Sequence, residues 1–139
     1  LYKGHFEVWL EDPKLESPNG LYIENEHIIV SSWGNPTDGW KTDVPGHMLI
    51  ISPKDKSIKD FAQGKPIGNL DGLAKYDNNS YLVTDWMQGK LMQVHKDGDV
   101  NTLLELGQGS ADILHLRSKR LLLIPQMKKG NLTAYSIKK

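Results

Sequence analysis

Apolar residues in this chain come in runs of five to seven positions, alternating or clustered, rich in Val, Ile, Leu and Tyr and broken by Gly, Asn, Asp and Pro. Runs of that length predict β-strands, and no segment is long and periodic enough to compete as an amphipathic helix. The pattern places strands at residues 5–10, 20–24, 27–32, 47–52, 57–61, 71–76, 80–85, 90–95, 100–106, 112–116, 120–125 and 131–137. Between them, Glu24-Asn25-Glu26, Asp77-Asn78-Asn79 and Lys96-Asp97-Gly98-Asp99 supply residues that tolerate positive φ or cap their own backbone, so consecutive strands close as tight hairpins.

One line recurs with variation ahead of successive strand groups: Ser17-Pro18-Asn19-Gly20-Leu21, then Asn69-Leu70-Asp71-Gly72-Leu73, then Ser110-Ala111-Asp112-Ile113. Strand repeats of about 40 to 50 residues predict the blades of a β-propeller, four-stranded meanders packed radially with their first strands lining a central channel. The expected fold is therefore all-β, with blades over residues 20–61, 71–106 and 112–137. The last of these has three strands, and 5–10 is read as the outer strand of a neighbouring blade. Asn19 and Asp71 are 52 positions apart, whereas Asp71 and Asp112 are 41 apart. The excess of about eleven residues falls in 33–46, a turn-rich stretch carrying Trp33 and Trp40, which sits where a rim or lid over the channel entrance would form.

Composition narrows the chemistry. The 139 residues carry 17 basic and 17 acidic side chains, which leaves neither a basic stripe for a nucleic-acid backbone nor an acidic block for a cationic partner. Cysteine is absent, so disulfides, thiolate catalysis and cysteine-ligated zinc are excluded, while the compartment, exported, periplasmic or cytoplasmic, stays open. No strongly apolar run approaches the roughly 20 residues of a membrane-spanning helix, and Leu121-Leu122-Leu123-Ile124 stops at Pro125. The five histidines have no metalloprotease-type pairing, and Gly107-Gln108-Gly109-Ser110 lacks the glycine pattern of a dinucleotide-binding turn.

The lines around Asn19 and Asp71, followed by Tyr81-Leu82-Val83-Thr84-Asp85, resemble the gluconolactonase, regucalcin and luciferin-regenerating-enzyme family of six-bladed propellers over about residues 15–106. The resemblance implies a divalent-metal-dependent hydrolase of lactones or small esters, with Asn19 and Asp71 as metal ligands and Asp71 as general base. The hard oxygens of an Asn carbonyl and an Asp carboxylate suit Ca²⁺ first, with Mg²⁺ or Zn²⁺ as alternatives. The family's metal-binding Glu has no counterpart in this chain, and three blades make half of a six-bladed ring. Either further N-terminal blades or a second copy of the chain would complete it. Asp112 is a third polar group for the channel, and Trp33, Trp40 and Trp86 are candidate substrate contacts. Two readings stay open: a hydrolase acting on a small-molecule substrate in the channel, and a non-catalytic propeller scaffold that binds a ligand or protein on its loop face. Pro-Asn-Gly and Leu-Asp-Gly are also plain turn formers.

Overall fold

A computed structural model of the chain describes residues 4–137. Thirteen strands form among them: β1 (Pro18–Glu24), β2 (His27–Ser32), β3 (Gly34–Pro36), β4 (Thr42–Pro45), β5 (Met48–Ile51), β6 (Ile58–Asp60), β7 (Leu70–Lys75), β8 (Ser80–Asp85), β9 (Lys90–His95), β10 (Val100–Glu105), β11 (Leu114–Leu116), β12 (Leu121–Gln126) and β13 (Asn131–Ser136). They build two four-stranded antiparallel sheets, β1-β2-β5-β6 and β7-β8-β9-β10, and a three-stranded sheet β11-β12-β13. Each strand pairs with its predecessor in the sheet, and the first strands adjoin, β1 against β7 and β7 against β11. Radial meanders with their first strands innermost are propeller blades.

Strand alternation assigns each face to a neighbour. Ile29, Met48 and Phe61 of the first blade pack on Leu73, Tyr81, Val83, Met92 and Val94 of the second. The second blade turns Ala74, Leu82 and Leu91 towards Ile113, Leu122 and Ile124 of the third. A third cluster, Val30, Leu49 and Ile51, lies on the far side of the first blade, covered by Leu10 and Leu15.

Two sequence expectations change. Residues 5–10 join no strand ladder: the segment crosses the outer face of the first blade, with Leu10 in its apolar cluster and Lys56 over the Trp9 ring at 5.5 Å. Alternation alone cannot make a strand where no edge is offered for pairing. The 33–46 insertion is a second small hairpin, β3-β4, carried between β2 and β5. No helix among the described residues is long and apolar enough to cross a membrane.

Candidate functional site at the channel entrance

The repeat is held together by one hydroxyl per junction. Ser31, near the end of β2, accepts from the Gly20 amide (3.1 Å) and donates to the Asp71 carbonyl of the next blade (3.1 Å). Thr84, near the end of β8, does the same with the Gly72 amide (2.8 Å) and the Ala111 carbonyl (2.7 Å). Both hydroxyl-bearing residues are fully buried. Thr84→Val leaves a buried amide and a buried carbonyl without partners and should cost about 2–3 kcal/mol in chemical denaturation. Thr84→Ser, which keeps the hydroxyl, should cost less than half as much, and equal losses would refute the junction role.

These bonds also correct the alignment of the third repeat. Ala111 supplies the carbonyl that Asp71 supplies one junction earlier, and the amides of Trp33, Trp86 and Met127 bond Ser17, Asn69 and Gly109 in the same way. Ala111 therefore occupies the place of Asn19 and Asp71, and Asp112 falls one residue later, where the other blades have Gly20 and Gly72. The Ser-Ala-Asp spelling hides a one-residue slip that only strand register reveals.

Asn19 and Asp71 nevertheless meet, and Asp112 stands beside them. The Asn19 side chain hydrogen-bonds the Asp71 carboxylate, and the Asp112 charge acts on it. Asp71 is half-buried, whereas Asn19 and Asp112 are exposed to the channel entrance. Burial first, then repulsion from Asp112, raises the Asp71 carboxyl above its ordinary range, and the Asn19 bond partly opposes the rise. Among the described residues no group of three His, Cys, Asp or Glu side chains is arranged to hold a metal ion, so the oxygen donors here are two carboxylates and one amide.

Comparison with known proteins adds the following. No family model matches the sequence, and no curated protein matches it. Among solved structures, the chain is similar to virginiamycin B lyase from Staphylococcus aureus, with a TM-score of 0.47 and 14% identity over 88% of this chain and 56% of that one. It is similar to the computationally designed Ika4 protein, with a TM-score of 0.49 and 10% identity over 98% and 95%. It is similar to a gluconolactonase from Xanthomonas campestris, with a TM-score of 0.43 and 11% identity over 88% and 59%. The chain thus spans a little over half the length of both natural proteins.

Around the entrance runs an aromatic arc. Trp33, Trp86 and Met127 take the same position in three successive blades, the first residue after the second strand. The Trp33 and Trp86 rings lie 5.9 Å apart, and the Trp86 indole N–H points to Met127 Sδ at 3.3 Å. The β3-β4 hairpin adds Trp40, edge-on to Trp33 at 6.3 Å, with its carbonyl accepting the Trp33 indole N–H (3.0 Å). Trp40 is 69% exposed and has φ +70°, a left-handed conformation that a bulky residue adopts only under strain. Asn69 ties this arc to the site: its amide donates to the Trp33 carbonyl (3.0 Å) and to Thr42 Oγ1 (2.8 Å), two residues before Asp71.

His47, His115 and Asp85 lie apart from this group. His47 pairs with Glu16 at 3.1 Å, and His115 stacks on Tyr76 and bonds the Lys75 carbonyl (2.8 Å). Asp85 orders the turn after β8, accepting the Gln88 amide at 2.8 Å. Its burial raises its carboxyl. Sequence reading missed Met127, which the repeat position would have found. It also missed a cluster at the other end of β1: Glu24 bonds Lys75 and Tyr81, with Lys96 at 3.4 Å, beside a cavity of about 450 Å³ floored by Ile29 and Phe61. The available signal was Lys75, a lysine closing the otherwise apolar Leu73-Ala74 stretch of β7.

Proposed function

We propose that Asn19, Asp71 and Asp112 form the hydrolytic end of a divalent-cation-dependent site for lactones or small esters. The observation that carries this reading is the half-buried Asp71 carboxylate, bonded by Asn19 and raised by Asp112 at the mouth of the first strands. The motif resemblance in residues 15–106 agrees with it. Three oxygen donors of hard type suit Ca²⁺ or Mg²⁺, which take further oxygens from water or from residues outside this group. Such a cation, when bound, polarises a carbonyl as a Lewis acid. Asp71 acts as the general base, and its raised proton affinity brings it closer to the proton it must accept. Asn19 favours the charged form of the Asp71 carboxylate, while the exposed Asp112 keeps a second negative charge beside it.

Asp71→Asn should lower lactone hydrolysis at least 100-fold and reduce bound divalent ion, measured by turnover and by metal analysis of the same preparation. In the wild-type protein, activity should fall in acid as Asp71 protonates, with a midpoint above that of an ordinary aspartate. Unchanged metal content and turnover in Asp71→Asn would refute the assignment.

The indole arc favours a second reading, a binding scaffold with its ligand on Trp33, Trp40 and Trp86. Here Trp40→Ala abolishes ligand binding while a chelator and Asp71→Asn leave it intact.

A further inference from the structure

We propose that the cavity beside Glu24, at the opposite end of the first strands from Asp71, binds a small organic anion with an apolar body, held by Lys59 and Lys96. The cavity opens between the first blade and the β9-β10 turn of the second, so both of its walls belong to one internal blade junction. Its volume of about 450 Å³ falls in the range of small-molecule sites. The site is separate from the entrance group, and its occupation does not depend on the hydrolase reading.

Strand alternation makes the floor apolar and the rim cationic. Ile29 of β2, Ile50 of β5 and Phe61 after β6 stand on the face turned towards the second blade, and Ala62 follows at the inner wall. Ile29, Phe61 and Ala62 are buried and Ile50 is half-buried. Lys59 lies opposite Ile50 in the β5-β6 register, so its side chain leaves the strand on that same face, and it forms no ion pair among the described residues. Lys96 reaches the cavity from the second blade and shares Glu24 with the buried Lys75. Three ammonium groups, Lys59, Lys75 and Lys96, therefore face two carboxylates, Glu24 and Asp60. Glu24 is already bonded to Lys75 and Tyr81, and the Asp60 carboxylate leans on the following turn, with Oδ2 2.9 Å from where a Gly64 Cβ would stand. The uncompensated positive charge thus sits on the exposed Lys59 and Lys96, above an apolar floor. An anionic head on an apolar body complements both surfaces, whereas a cation meets repulsion at the rim.

The inner wall is built at a conformational cost. Ala62, Gln63 and Gly64 have φ of +51°, +66° and +66°, three successive left-handed residues of which only the glycine adopts that region freely. The turn is clamped to the second blade by the Gln63 side chain, whose amide donates to the Asp97 carbonyl at 2.8 Å, next to Lys96. Backbone held in such a region persists where the surrounding structure over-determines it, and it gathers at ligand sites. Here it sets Phe61 and Ala62 under the cavity and ties the turn that carries Lys96 to the opposite wall.

Calorimetric titration of the protein with 2-naphthoate should give a Kd on the order of 0.1 mM, and the uncharged 2-naphthamide should bind about tenfold more weakly. The double variant Lys59→Gln, Lys96→Gln should lose about tenfold in naphthoate affinity with naphthamide affinity and circular dichroism unchanged. Lys59→Gln alone, which removes no ion pair, should already weaken naphthoate by about threefold. In amide NMR spectra of the same titration, the shifts should gather at Ile29, Lys59, Ala62 and Lys96. Absence of binding at about 5 mM naphthoate overturns the proposal. So does equal affinity for acid and amide, or naphthoate binding that both lysine variants leave unchanged. Shifts centred on the indole N–H signals of Trp33, Trp40 and Trp86 would put the ligand at the channel entrance and overturn it as well.

Discussion

Gly72→Ala should destabilise the protein by about 3 kcal/mol, the upper range for overpacking, because the added methyl has only backbone to displace. A Cβ at Gly72 would lie 2.7 Å from both Asp112 Cα and the Ile113 amide, atoms of the next blade that no rotamer change can move aside. The second and third blades would have to separate, and with them the Thr84 bridge to Gly72 and Ala111. The same reasoning applies to Gly20, whose Cβ would meet the Asp71 carbonyl at 2.5 Å. Urea denaturation should show the midpoint falling, and a change below about 1 kcal/mol would mean that the blades tolerate a wider spacing than the junction bonds imply. Because Asp112 and Asp71 flank the contact, Gly72→Ala should also disturb the entrance group, visible as a shift in the acid limb of any activity.

Glu24→Gln carries the second large effect. The carboxylate sits at the far end of the first strand, where it bonds the buried Lys75 ammonium and the Tyr81 hydroxyl and faces Lys96. Desolvation works against its charge, but the bonds to Lys75 and Tyr81 outweigh it and hold the carboxyl at about 2, below the ordinary 4.5. Tyr81 responds in the opposite direction, its ionisation pushed up by burial and by Glu24. A group whose folded-state value is depressed stabilises the fold above its unfolded value, and that contribution is lost as pH falls from about 4.5 towards 2. Allowing for partial exposure of Glu24, the contribution at neutral pH is about 2 kcal/mol.

Glu24→Gln should therefore lower stability by about that amount at pH 7, and the gap to wild type should shrink through the acid range. Replacing Lys75 by Met in the same background should recover much of the loss, since the lone buried ammonium is then gone. A gap that is constant from pH 7 to pH 2 would assign the effect to packing instead of charge.

How far the sequence reaches differs between fold and site. Turn residues and apolar runs placed β8 and β9 at their observed bounds, because a hairpin with tight turns and two buried faces leaves one register. The spacing of Asn19 and Asp71 also carried through: both open a first strand, and first strands meet at the axis. The third repeat failed at the level of one residue. Ser110-Ala111-Asp112 looks like another polar-then-strand line, yet the carbonyl accepting from Thr84 belongs to Ala111. A single slip changes which face a side chain occupies, and no composition signal records it.

The chain by itself determined an all-β meander of short strands joined by tight turns. Those features follow from local rules, the two-residue alternation of strands and the backbone demands of turns, which act over a few neighbours. Only the tertiary structure decided that Trp33, Trp40 and Trp86 share one arc, that Asp71 feels Asp112, and that Glu24 reaches Lys75 across 51 residues. Those pairings arise where separate blades pack, and the distance along the chain between blades carries no local signature of which side chains will touch.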